Sequence, residues 1–366
     1  MIGRLASVFD NLLGRGEAAV TVPPLDGALR PNRKLDEAAS RTPLDDVDCL
    51  AARGDTLFAS AGASLFSVGA NGTWERRGAY SARIVALSSV GEGGLAFALA
   101  DGEIVIEGGP FDERRYRAGA AIKCITALTS NGSELFVANG STTNEARDWQ
   151  RDLLERNASG SIWRIDLSSG TSTRIAEGLA WPAGLALDGD SVVVSEAWKH
   201  RLVRIDPARP SRPQIPHADL PGYPGRISAA SDGYWLVLFA PRSQLVEFVL
   251  REPAYRKRMM AQVPKSFWVA PKLRSGRSFY ESLQGGGVKH LGMLKPWAPT
   301  MSAGLCVKLD RDFQPRFSLQ SRADGRTHGV TSAVEYRGHL FVAARGDSVI
   351  VSMPLSGSLA DRDNGP

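Results

Sequence analysis

The sequence predicts an all-β chain: a six-bladed β-propeller with an N-terminal amphipathic helix and helical or loop insertions in the third and fifth blades. Three observations carry that expectation. The chain has 366 residues, 43% of them hydrophobic and 23% charged, an ordinary globular composition with room for a large core. One phrase recurs along it: an apolar run, a Gly, Asn or Asp turn, a second apolar run, and a third that ends in a polar turn. Each such phrase reads as an antiparallel meander, and six meanders arranged radially leave only short, protected strand edges.

Taken in order, the chain begins with Ile2, Leu5, Ala6, Phe9, Leu12 and Leu13 on one helical face. Arg4, Asp10 and Asn11 interrupt the apolar run, so the segment reads neither as a signal peptide nor as a membrane span. Two uses stay open for it: docking on the protein's own body, or contact with a membrane surface or a partner. Residues 1–40 are assigned to this helix and an extended arm, with Ala18–Val22 (AAVTV) supplying the outer strand that closes the last blade. The propeller proper is assigned to residues 41–366.

Six second strands begin at Thr56, Gly94, Glu134, Ser191, Tyr234 and His339. Their third strands follow as SLFSVG, EIVIEG, SIWRIDL, RLVRIDP, QLVEFVL and SVIVSMP, each with the period-2 pattern of a half-buried strand. Two insertions interrupt the repeat, at about 140–160 and 251–299. Trp149, Leu153 and Leu154 give the first a short helix, and REPAYRKRMMAQV is helical by propensity in the second. Long excursions of this kind serve as lids or binding loops more often than as decoration.

Charge and cysteine usage bound the partners. The net charge is +5, but Arg251 to Arg277 holds eight basic residues against Glu252 alone, leaving the rest of the chain slightly acidic. That distribution argues against nucleic acid as a partner and for a local anion-attracting surface. A peripheral membrane contact through residues 2–13 and 251–277 is the companion expectation. Cys49, Cys124 and Cys306 lie far apart with no CxxC or Cys/His spacing, which fits a cytoplasmic protein, free or associated with the inner face of the membrane. No Gly-x-Ser-x-Gly elbow, His-Glu-x-x-His, phosphate-binding loop or dinucleotide fingerprint occurs, and no cofactor is expected.

The stretches GLAWPAGLALDGDSVVVSEAWKHRLVRIDP, DLPGYPGRISAASDGYWLV and DGRTHGVTSAVEYRGHLFVAA resemble the strictosidine synthase-like proteins, relatives of the gluconolactonase and paraoxonase type propellers. The resemblance covers about Asp46 to Pro354 and is strongest from Gly178 to Leu238. It implies a site at one mouth of the central channel, lined near Asp46, Arg83, Cys124, Ala183, Gly225 with Arg226, and His328. Where the metal-dependent lactonases carry Asn-Gly this chain has Ala183-Gly184, and where they carry Pro-Asp it has Pro224-Gly225. A third ligand position falls close to Cys124. Calcium wants six to eight oxygens, and Ala183, Gly225 and Cys124 offer no side-chain oxygen, so no lactonase-type metal is expected. The catalytic glutamate of strictosidine synthase corresponds to His328.

The candidate catalytic set is therefore His328 as acid or base, with Glu196 and Asp46 in support. Arg83, Arg226, Asn139, Trp149 and Tyr223 are the candidate substrate-binding residues. Five of them have a plainer alternative: His328 as a turn histidine, Glu196 paired with Lys199 or Arg201, the two arginines paired with Asp45, Asp46 or Asp48, and Asn139 shaping a turn. The expected function is to act on or bind a small organic, anionic molecule at the channel mouth. Metal-independent acid–base chemistry, of an amine-lyase or a hydrolase and lactonase-like type, is one form of it. A non-catalytic propeller that binds a ligand or a protein, at a membrane or away from one, is the other.

Overall fold

The computed structural model describes residues 22–69, 72–117, 119, 121–275, 281, 289–290, 293–294 and 301–355. Six four-stranded antiparallel sheets follow one another along the chain. Their innermost strands are Val47–Arg53, Ile84–Val90, Ile125–Ser130, Pro182–Asp188, Gly222–Ala230 and Val330–Tyr336. Each of these packs beside the next, and the sixth returns to the first, so the sheets close into a six-bladed propeller.

The apolar runs find their reason in this arrangement. A strand deep in a blade is covered on both faces by neighbouring blades, so Gly94–Leu99 is buried at every position. The outermost strand of blade 1, Trp74–Ala79, is mostly exposed. Six separate apolar layers fill the six gaps between blades, one per gap, and Leu87, Leu95 and Phe97 of blade 2 meet Cys49, Phe58 and Leu65 of blade 1 in one of them. At the channel, Gly184 lets blade 4 touch blade 5: a Cβ there would overlap Gly225 O and lie 2.7 Å from Arg226 Cα.

Two expectations about the blades need correction. The strand that closes blade 6 is Ser40–Pro43, which pairs antiparallel with Val349–Ser352. Residues 2–13 and most of Ala18–Val22 lie outside the described residues, and Val22 itself is in no strand. The stretch QLVEFVL is not the third strand of blade 5 but the first helix of the insertion, Gln244–Arg251. Ser243 caps it by accepting the Val246 N–H at 3.2 Å, and Val246 and Val249 turn inward at helical spacing. The true third strand, Gly304–Leu309, follows the insertion, which therefore starts at Ser243 rather than Arg251.

The helix Pro253–Gln262 comes next, as its propensity predicts. In blade 3 the short helix Trp149–Glu155 buries Asp152, Leu153 and Leu154. Leu154 meets Val249, Met259 and Trp268 of the larger insertion, so the two insertions stand on the same end of the propeller and support one another. No described helix is long and apolar enough to cross a membrane.

Candidate functional site

At the end of the channel where the innermost strands begin lies a cavity of about 240 Å³. Its floor is polar. Arg226, from the innermost strand of blade 5, spans the channel: Nη1 donates to Asp48 Oδ1 and to Thr331 O, both at 3.0 Å, and Nη2 donates to Val85 O at 2.7 Å. One guanidinium thus ties blade 5 to blades 1, 2 and 6. A second cavity of about 330 Å³ occupies the channel on the other side, and Arg226 lines both.

Two more guanidiniums complete the floor. Arg83 pairs with Asp46 through Nη2, while its Nη1 is buried with no partner. Arg345, just past the second strand of blade 6, lies 3.4 Å from Asp48 Oδ2 and 3.5 Å from Asp46 Oδ1. Burial pushes the Asp48 carboxyl up, but the charges of Arg226 and Arg345 push it down further, and it ends below its ordinary value. Burial acts against the Arg226 charge in turn, and Asp48 more than restores it. Asp48 is therefore a locked anion, poorly suited to take up a proton near neutrality.

The facing wall is apolar. Trp149, Trp181, Phe239, Ala183 and Leu273 line it. The rings brace one another: Trp149 meets Phe239 edge-on at 5.4 Å, and Trp181 stacks on Trp198 at 5.3 Å. Trp198 Nε1 donates to Asp152 Oδ1 at 2.8 Å, which anchors the wall to the blade 3 insertion.

The structure brings together only part of the expected set. Arg83, Arg226 and Trp149 line the cavity, and Asp46 stands at its rim as the partner of Arg83 and Arg345. His328 does not reach it. That side chain is fully buried, with Nδ1 2.9 Å from Ser302 Oγ and Nε2 2.7 Å from Arg322 O. A carbonyl only accepts, so Nε2 carries the proton and Nδ1 accepts from Ser302. Burial, aided by the Arg274 charge, lowers the His328 pKa. This histidine fastens the return of the insertion to blade 6 and has no opening to the cavity.

Three further expectations resolve into structural roles. Glu196 is fully buried and held by Lys199 at 2.8 Å, Arg201 at 2.5 Å and the Ala180 N–H at 2.8 Å. Asn139, also fully buried, accepts from Lys123 N at 3.1 Å and Cys124 N at 2.9 Å, bracing the strand beside it. Tyr223 sits behind the wall, its ring 5.9 Å from Trp198 and its hydroxyl buried without a partner. The Cys124 thiol is pushed up to about 12 by burial, away from the thiolate form. Among the described residues no group of three or more His, Cys, Asp or Glu side chains is placed to hold a metal.

Arg345, Trp181 and Phe239 were not singled out from the sequence, and Asp48 was named only as a partner for the arginines. Asp48 alone carried a readable signal, a charged residue within the otherwise apolar stretch of Val47–Arg53 that must be paired if it is buried.

No family model matches the chain. Adipocyte plasma membrane-associated protein of Danio rerio is 24% identical over 238 residues, 63% of this chain and 51% of that protein. Strictosidine synthase-like 13 of Arabidopsis thaliana is 28% identical over 130 residues, 34% of this chain and 32% of that one. The chain is a six-bladed propeller, and its sequence is similar to that of strictosidine synthase-like proteins. These matches span about half or less of the relatives' own lengths. Among solved structures, a luciferin-regenerating enzyme aligns over 88% of each chain with a TM-score of 0.50 at 11% identity, a likeness of fold alone.

Proposed function

We propose that this strictosidine synthase-like propeller binds a small organic molecule with an apolar or aromatic body and an anionic head at the mouth of its channel. One observation carries the reading: three guanidiniums stand against two carboxylates on one side of the cavity, with Arg83 Nη1 left unpartnered, while aromatic rings form the other side. A planar guanidinium fork matches a carboxylate or phosphate bidentately, and an aromatic wall takes the apolar remainder. The acid–base role expected of His328 has no support, because that ring has no route to the cavity. Asp48 is the carboxylate that lines the cavity, and two arginines hold it ionised. Binding without turnover is accordingly the reading we favour over acid–base catalysis.

The site is metal-independent in this reading, since Ala183, Gly225 and Cys124 bring no oxygen to the positions at which the lactonase resemblance would place ligands. Three buried free cysteines fit a reducing compartment. The test is calorimetric titration with aryl carboxylates and their neutral amides, beside product analysis of the same mixtures. The carboxylate is expected to bind about tenfold or more tightly than its amide, as a charged hydrogen bond of about 1.5–3 kcal/mol implies. Arg83→Ala should erase that preference, and calcium should leave the melting temperature unchanged. Equal affinity for acid and amide would overturn the anionic reading, and turnover of any tested compound would restore catalysis.

A further inference from the structure

Six large apolar side chains are prominently exposed among the described residues, and four of them fall between Phe248 and Phe267: Phe248 at 46%, Tyr255 at 49%, Val263 at 37% and Phe267 at 39%. They do not hang on a loosely held segment. Val246, Val249, Met259 and Trp268 are buried beneath them, Ser243 caps the first helix, and Trp268 Nε1 donates to Val263 O at 2.8 Å. Arg256 adds a bond to Leu154 O in the other insertion. A firmly anchored backbone therefore presents these rings outward.

The same stretch is positive. Arg251, Lys257 and Arg258 are exposed and make no ion pair among the described residues. Glu247 is turned inward to Arg242 at 3.2 Å and His200 at 3.3 Å, and the exposed Glu252 offsets only one of the three cations, so the face stays positive. The face also borders the cavity: Lys265 donates to Arg147 O at 2.7 Å, and Arg147 and Leu273 both line the mouth.

We propose that Phe248, Tyr255 and Val263, interleaved with Arg251, Lys257 and Arg258, form a docking face for an anionic lipid surface that seats the mouth of the cavity against the membrane. Rings at headgroup depth and cations against lipid phosphates are the combination that holds a peripheral protein. The buried core of a protein–protein interface is depleted in charged residues, whereas this face carries three exposed cations, unpaired among the described residues, beside its apolar side chains. The surface is a feature of the insertion and stands whether or not the cavity takes an anion.

The experiment is co-sedimentation of the full chain with phosphatidylcholine vesicles with and without phosphatidylserine, at low and high salt. Binding is expected only with phosphatidylserine, and it should weaken with salt. Phe248→Ser with Tyr255→Ser, and separately Lys257→Glu with Arg258→Glu, should each lower the partition coefficient about tenfold. All four side chains are exposed, so melting temperatures should match the parent. A chain that stays in the supernatant with phosphatidylserine vesicles at low salt would overturn the proposal. So would unchanged binding in both variants, which would move the contact elsewhere in the chain. A lipid-free dimer that the Phe248→Ser, Tyr255→Ser variant dissolves would assign the face to a second copy instead.

Discussion

Replacing Arg226 by methionine removes a single guanidinium from the channel while keeping about the length of its aliphatic stem. Three bonds go with it: to Asp48 Oδ1, to Thr331 O and to Val85 O. Asp48, only 5% exposed, is left with Arg345 at 3.4 Å as its remaining ion-pair partner. Breaking a buried pair on one side costs about 3–5 kcal/mol. The lower figure applies here, because the Arg226 side chain keeps 20% of its surface open and Arg345 still faces the carboxylate. At about 2.1 cal/mol/K of unfolding entropy per residue, a loss of about 3 kcal/mol in a chain this long lowers the melting temperature by about 4 °C. Scanning calorimetry of the parent, Arg226→Met, Asp48→Asn and the double variant measures both the loss and the coupling. The two substitutions should be clearly non-additive, with the double variant nearer the parent than their sum. A melting temperature unchanged in Arg226→Met, or strict additivity across the cycle, would refute the idea that this pair clasps the blades.

Two other substitutions probe residues away from the cavity floor. His328 has a folded pKa below its ordinary 6.5, so above that value it makes no pH-dependent contribution; as pH falls through 6.5 the unfolded chain takes up a proton first and stability declines. His328→Gln should flatten that part of a melting-temperature profile between about pH 7 and 5 and leave ligand affinity at the mouth intact; loss of affinity with an unchanged profile would return the residue to the site. Gly184→Ala places a methyl group against Gly225 O and Arg226 Cα and should cost about 3 kcal/mol or more by forcing blades 4 and 5 apart, read as a lowered denaturant midpoint.

Much of the propeller was legible because of how burial falls along each blade. Second strands such as Ser191–Glu196 and Gly94–Leu99 are covered on both faces, so Val192–Val194 and Leu95–Leu99 stand out as unbroken apolar runs. The error at Gln244–Leu250 has a physical source. Val246, Phe248 and Leu250 alternate as a strand would, yet Val246, Val249 and Leu250 also fit a helical stripe, and seven residues are too few to separate the two periods. The Ser243 cap decides it.

The site was readable as far as the ring geometry fixes it. Asp46, Arg83 and Cys124 directly precede their innermost strands, as the repeat implied. His328 fails because Gly329, at φ +62°, turns the chain between it and Val330, with Leu273 packed against that turn. Arg345 reaches the floor from a strand exit, a place that carries no motif. The ring contacts of Trp181 and Phe239 depend on how the insertions stack, which single-strand patterns do not encode.

The strand Ser40–Pro43 joins Val349–Ser352, residues about three hundred positions later. During synthesis, which proceeds from the N-terminus, blades 1 to 5 can each assemble as they emerge, but blade 6 must wait until Val349–Pro354 has been made. Until then the apolar flank of blade 1 that will meet blade 6, including Leu50, Ala59 and Phe66, has no cover. A nascent chain of this protein is therefore an open arc with a sticky end, and a ribosome stall before residue 349 would leave it a client for chaperones.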